Sequence, residues 1–271
     1  MKKFKIALQL YSIREFMAEN MDETLKAVKE MGYDYVEFAG YYDKEAEEIK
    51  ALLDKHGLEC VSAHRGPDFF INDEEKEIHY LKTLGAKYCA IPWYAVDEFV
   101  NNWDETIKKF KKVYEIMAKN DIKLLYHNHE FEFTKVGDEY IIDKLYKEMP
   151  EICPQFDTCW VRYADENPAD YIRKYKDKVE VVHLKDFSAD KLAGGPVYEL
   201  IGQKSSQEQR DDNGFRFRAL GQGRQDWNEI LKACEDVDAD ILVVEQDRWY
   251  EESALSEVKK SREFLKEKFG I

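Results

Sequence analysis

NWDETIKKFKKVYEIMAKNDIKLLYHNH, residues 102–129, holds one complete helix-to-strand unit. Residues 102–120 read as an amphipathic helix, and IKLLYHNH (122–129) reads as a short apolar run ending in polar side chains. An amphipathic helix alternating with a short apolar strand is the pattern of βα units in a parallel sheet. The pattern recurs along the chain. Apolar or β-branched runs stand at FKIALQL (4–10), YVEF (35–38), LECVSA (58–63), YCAIPW (88–93), ICPQFD (152–157), VEVVHL (179–184) and DILVVE (240–245), eight in all with the first. Helical stretches separate them, among them residues 22–31 and DKEAEEIKALLDKHG (43–57). Gly32, Gly57 and Gly85 follow the last turns of such stretches, where a helix ends best on a left-handed residue. Eight βα units with no Pro/Ser-rich linker predict closure into one α/β domain, a (β/α)8 barrel spanning residues 1–271. An open doubly wound sheet is the alternative that the pattern allows.

Composition narrows the function. Hydrophobic residues make up 44% of the chain, enough for a sizeable core, and charged residues 36%, enough for a solvated exterior. With 41 basic and 56 acidic residues the formal charge is −15. That field repels a phosphate backbone, so no nucleic-acid partner is expected. The N-terminal MKKFKIALQLYS is basic and then apolar, but the run is short and broken by Gln9, unlike a secretory signal. No other window approaches a membrane span, which predicts a cytoplasmic protein without a membrane partner. Cys60, Cys89, Cys153, Cys159 and Cys234 are scattered, with no CxxC pair, and read as reduced, mostly buried thiols.

Active sites of such barrels lie at the C-terminal ends of the strands. Run five ends in His127 and His129, run six in Asp157, run seven in His183 and run eight in Glu245. Each closes an apolar run, where an unpartnered charge would be costly. His127 to Asp157 is 30 residues and Asp157 to His183 is 26, about one βα unit each, so four consecutive strands bring one ligand-type side chain to the same quadrant. Singly, a strand-end His or Asp is more often a satisfied structural residue; four at equivalent depth point to a divalent metal. Two imidazoles with two carboxylates favour Mn2+, then Zn2+, Co2+ or Mg2+. His127 and His129, two apart on one strand, share a face. His127 is assigned to the metal and His129 to acid–base work, the reverse assignment being the alternative.

Other run ends supply a polar rim. Gln9 and Arg14 follow run one, His64 and Arg65 run three, and Glu37 lies in run two. Glu37 and His64 are read as substrate contacts, and Lys185, two beyond His183, as a catalytic group holding a substrate oxygen. Trp93 and Trp160 could stack on the apolar face of a sugar or pack under a loop. Residues 187–225 are too long for an ordinary βα loop and are expected to fold over the mouth, with Arg216 or Arg218 meeting the substrate.

These motifs carry a resemblance. VEF (36–38), YHNHEFEF (126–133), FDTCW (156–160), HLKD (183–186), LGQGRQDW (220–227) and VVEQD (243–247) resemble the sugar phosphate isomerase/epimerase family of xylose isomerase-like TIM barrels, which includes inosose dehydratase and endonuclease IV. The resemblance runs the length of the chain. It implies a metal held by Glu, Asp, His and Glu from strands five to eight, which falls on His127, Asp157, His183 and Glu245. The first position departs: many relatives read Glu-Asn-His where this chain reads His127-Asn128-His129. Ketose epimerases of the family use the metal-bound carboxylates of strands five and eight as opposed bases, and only Glu245 of that pair remains. The expected function is a metal-dependent isomerase or epimerase moving a proton beside the carbonyl of a keto sugar, with Glu245 and His129 as its catalytic groups. The alternatives are a keto-sugar or inosose dehydratase or glycoside-eliminating lyase, which the His-rich strand five resembles, and a non-catalytic sugar-binding barrel. The expected partner is a small carbohydrate, and a homo-oligomer is left open.

Overall fold

The computed structural model describes residues 2–192 and 214–271. Eight strands carry the architecture: β1 (Lys5–Gln9), β2 (Tyr35–Phe38), β3 (Glu59–His64), β4 (Tyr88–Ile91), β5 (Lys123–His127), β6 (Cys153–Asp157), β7 (Val181–Leu184) and β8 (Ile241–Val244). Every neighbouring pair is parallel, and β8 returns to β1 with Lys5 opposite Ile241 and Leu8 opposite Val244. That last pairing closes the barrel and removes the open-sheet alternative.

Alternation along the strands sorts the side chains. Ala7, Ala90, Leu125, Val181, Ile241 and Val243 pack together inside the barrel. Leu8, Val36, Leu124, Phe156, Val182, Leu242 and Val244 face outward into the larger core beneath the helices. Both faces of a parallel barrel are buried, which is why its strands read as nearly continuous apolar runs. The helices are bounded as their sequences require: Ala46–His56 opens on a Glu45/Glu48 capping box and ends on Gly57 at φ 64°. The helix expected at 102–120 runs from Trp103 to Lys119.

Two local departures shape the mouth. The register of β2 on β3 slips between Val36 and Glu37, pairing Val36 with Cys60 but Glu37 with Ser62, and β3 then ends on His64. A bulge of this kind re-aims side chains beside a site. After β7, Asp186–Ser188 pairs antiparallel with Arg216–Arg218. The base of the long 187–225 segment is therefore an ordered ribbon, while the tip expected to act as a cover lies outside the described residues. Among the described residues no helix is long and apolar enough to cross a membrane. All five cysteines are free, and four are buried.

Candidate metal centre and active site

On β5, β7 and β8 the inward positions run apolar below and polar above: Leu125 then His127 on β5, Val181 then His183 on β7, Val243 then Glu245 on and just past β8. His127, Asp157, His183 and Glu245 are all buried, and one ligand atom from each lies within 4.8 Å of the others. His127 Nε2 stands 3.7 Å from Asp157 Oδ2 and 4.0 Å from Glu245 Oε2. Those separations are too long for hydrogen bonds but suit donors sharing an ion at ~2.0–2.2 Å. Among the described residues His127 Nδ1 has no hydrogen-bond partner. Burial, reinforced by His183, His64, His129 and Lys185, holds the His127 ring well below the usual imidazole range, in the neutral form that ligates. The donor set fits a divalent cation.

Two of the four, His183 and Asp157, are held by further partners, as ligating groups need to be. His183 lies between two carboxylates, Nδ1 at 2.8 Å from Glu245 Oε2 and Nε2 at 2.7 Å from Glu37 Oε1. Burial opposes its protonation, but Glu37 and Glu245 outweigh that and raise His183 to about 10. Asp157 Oδ1 accepts from the backbone N–H groups of Cys159 and Trp160, capping the helix Thr158–Tyr163. Asn128 Oδ1 accepts from the Asp157 backbone N–H at 3.1 Å. The remaining oxygen, Asp157 Oδ2, points toward His127 and Lys185.

Lys185, expected from the sequence to hold a substrate oxygen, meets carboxylates here. Its ammonium is almost fully buried, 2.8 Å from Asp157 Oδ2, 2.9 Å from Glu245 Oε2 and 3.1 Å from Asp247 Oδ2. Burial disfavours the charge, yet the three carboxylates keep Lys185 well above its usual range. Asp247, pushed up to about 7 by burial and by Glu245 and Asp157 despite Lys185, was quoted only as part of a motif. The signal was available: it stands two beyond Glu245, as Lys185 stands two beyond His183. Asp186, the last residue of HLKD, anchors the LGQGRQDW segment by accepting from the backbone N–H groups of Gly221 and Gly223 and from Trp227 Nε1. A Cβ on Gly223 would lie 2.1 Å from Asp186 Oδ1, so this turn requires glycine.

The profile for xylose isomerase-like TIM barrels matches residues 25–268. The chain belongs to the xylose isomerase-like TIM barrel family. An inosose dehydratase of Clostridium beijerinckii is 25% identical, the match covering 91% of this chain and 90% of the relative. The same enzyme name recurs among other curated relatives, one of which matches over 63% of its own length. A crystal structure of a sugar phosphate isomerase/epimerase from Parabacteroides distasonis superposes with a TM-score of 0.76 at 19% identity, covering 98% of this chain and 94% of that one. The IOLI protein with a bound zinc atom superposes with a TM-score of 0.71 at 14% identity, covering 97% of each chain.

In this xylose isomerase-like barrel a cavity of about 250 Å³ opens above the donors. His64, Trp93, His127, His129 and Glu245 line it, together with Tyr11, Arg65, Phe69 and Asp247. Three residues read from the sequence as substrate contacts are placed elsewhere. Glu37 lies fully buried behind His183, its oxygens taken by Gln9, Gln155, His183 and His64. Burial alone would raise its carboxyl, but His64 and His183 hold it well below the usual range. Trp160, in the helix capped by Asp157, is fully buried behind the cavity wall, 5.4 Å from the His129 ring, and stacks on Phe215 with ring centres 5.8 Å apart. Arg218 Nε donates to Ser188 Oγ across the ribbon. Lys185 also does not line the cavity and reaches the site through the carboxylates.

His129 differs from expectation in its backbone. β5 stops at His127, and His129 lies in the turn that enters the short helix Phe131–Phe133. Glu132 draws the chain out of the strand, its Oε2 accepting from the His129 backbone N–H at 2.7 Å and its Oε1 from Tyr126 Oη at 2.5 Å. The His129 ring still sits 5.2 Å from that of His127, stacks on Phe131 and leaves Nδ1 without a partner among the described residues. Burial and Lys185 hold it well below the usual imidazole range.

Proposed function

We propose that the protein is a divalent-metal-dependent enzyme that removes a proton beside the carbonyl of a keto sugar or cyclic keto-polyol and expels the neighbouring hydroxyl as water. The supporting observation is the asymmetry of the donor set at the cavity: of the four ligand residues only His127 and Glu245 line it, and only one of these is a carboxylate. Epimerisation requires bases on both faces of one carbon, whereas dehydration needs a proton taken and a proton given. The relatives named inosose dehydratase support the same choice.

In this reading His127, Asp157, His183 and Glu245 hold the metal, with Mn2+ favoured and Zn2+, Co2+ or Mg2+ as alternatives. A bound divalent ion would polarise the carbonyl and stabilise the charge that develops on its oxygen. Neutral His129 takes the α-proton at a ring nitrogen and, as imidazolium, returns it to the departing hydroxyl; a C–H and a C–O bond break, a C=C bond forms and water leaves. Glu37 and Lys185 position His183, Asp157 and Glu245. His64 and Trp93 contact the substrate. Enediolate reprotonation, giving an isomerase or epimerase, is the second reading, favoured by the access of Glu245 to the cavity.

The deciding experiment is elemental analysis of untagged protein, then NMR in deuterated water with scyllo-inosose and a panel of ketoses. Dehydration appears as an unsaturated ketone with loss of water. Deuterium entering a recovered or rearranged ketose, with no unsaturated product, overturns elimination in favour of isomerisation. A protein purified without metal that exchanges nothing is a sugar-binding barrel.

A further inference from the structure

Three carboxylates surround one ammonium at the floor of the mouth, and they are not equivalent. Asp157 and Glu245 face Lys185 on one side and His127 on the other, so the oxygens that hold the ammonium, Asp157 Oδ2 and Glu245 Oε2, are also the ones nearest His127 Nε2. Asp247 faces Lys185 with both oxygens, at 3.1 and 3.3 Å, and stands outside the group of ligand atoms that converge within 4.8 Å. The Asp247 backbone is held in place by Arg14, whose Nη1 donates to its carbonyl oxygen at 2.9 Å.

We propose that Lys185 is a built-in competitor for the metal seat and that Asp247 is the carboxylate that takes its ammonium when a divalent ion claims Asp157 and Glu245. The proposal rests on the metal reading above and extends it to a residue outside the ligand set. Its physical basis is charge placement. In a buried site an ammonium and a dication on the same two oxygens repel strongly, because little water screens them. Buried carboxylates left without any cation are costly as well. Lys185 meets the second demand when no ion is bound, and its long, flexible stem with Asp247 as a second partner meets the first when one is.

Mn2+ affinity, read by calorimetric titration, and the melting temperature of the metal-stripped protein test this in wild type, Lys185→Met, Asp247→Asn and the double variant. Lys185→Met is expected to bind Mn2+ at least ~10-fold more tightly while its metal-stripped form melts lower than wild type. Asp247→Asn is expected to bind ~10-fold more weakly in the wild-type background and to change little in the Lys185→Met background, because the cycle isolates what passes through the lysine. Equal weakening in both backgrounds overturns the proposal, since Asp247 would then act on the ion by its own charge. Lys185→Met binding no more tightly than wild type also overturns it. If Lys185→Met does not fold, Asp247→Asn alone decides: unchanged Mn2+ affinity overturns the proposal. Failure of every variant, wild type included, to take up Mn2+, Zn2+ or Co2+ instead removes the metal reading beneath it.

Discussion

The two ends of this barrel use similar charged residues in opposite ways. At the base, where strands begin, Lys5 Nζ meets Asp240 Oδ2 at 2.7 Å with 37% and 44% of the two side chains exposed. Lys123 pairs with Glu180, which also accepts from Tyr88 Oη at 2.7 Å. These are half-solvated contacts between near neighbours. At the mouth His183, Lys185, Asp157, Glu245 and Asp247 are all buried, and His183, Lys185 and Glu245 each serve more than one oppositely charged partner. An exposed pair is worth ~0.2–1 kcal/mol. Stripping one partner from a buried set leaves an uncompensated charge that costs ~3–5 kcal/mol. A fold does not need the second arrangement for stability, and its place among the described residues at the mouth is what supports the proposed site there.

The strongest break in that contrast is Asp157→Asn. Asparagine can still cap the helix that Asp157 caps, so the local backbone survives while the ligand charge and the Lys185 pair are lost. Bound metal, by elemental analysis, is expected to fall to background and kcat/KM by ~10³-fold or more. Normal metal content in a folded variant removes Asp157 from the ligand set.

His129→Gln comes next. Its ring is near the donors but outside their convergent set, so kcat is expected to fall ~10²-fold with metal content unchanged. Loss of metal in this variant would instead make His129 the ligand in place of His127.

How much of this could be read from the chain depends on how local the cause is. The strands were legible because a two-sided burial pattern is written into each run, and the quadrant of donors because strand order equals chain order in a barrel. Trp160 was not: Asp157 reads equally well as the end of a strand and as a helix cap, and the capped helix packs the indole against Phe215 and Phe217. Glu37 was misplaced because Gln9, Gln155 and His183, which occupy its oxygens, are remote in sequence. His129 was assigned to a continuing strand, although Glu132 three residues on was the local signal that the chain turns. Asp247 needed only the alternation rule applied once more.

Glu132 sharpens the comparison from the side of stability. Burial raises its carboxyl well above the usual range, more than Tyr126 and the His129 N–H lower it. Burial therefore favours the neutral acid in the folded chain. Above the unfolded value near 4.5 the unfolded chain releases this proton and the folded chain keeps it, so stability falls as pH rises, by up to ~1.4 kcal/mol per unit, until the folded group ionises. Glu132→Gln removes this loss. Its melting temperature relative to wild type is expected to climb as pH rises above 5, and a flat difference shows that Glu132 is ionised in the fold.

The smallest effect belongs to the base, and the contrast stands or falls on its being small. Lys5 pairs with Asp240 across the β1–β8 seam, the closure that makes the barrel, so one could expect the pair to matter greatly. The hydrogen bond that the Lys5 ammonium donates to Asp240 does raise its pKa despite some burial. Both side chains are more than a third exposed, however, so water solvates whichever charge is left alone, and salt screens what remains. The seam itself is held by the backbone ladder from Lys5–Ile241 to Leu8–Val244 and by Ala7 and Val243 within the barrel, none of which requires the charge. Lys5→Ala should therefore cost no more than ~1 kcal/mol in denaturant unfolding, shrink further in 0.5 M salt, and leave metal affinity and turnover unchanged. A loss of several kcal/mol, comparable with stripping a partner at the mouth, would show that exposure does not separate the two ends and that the ion pair, rather than the ladder, closes the barrel.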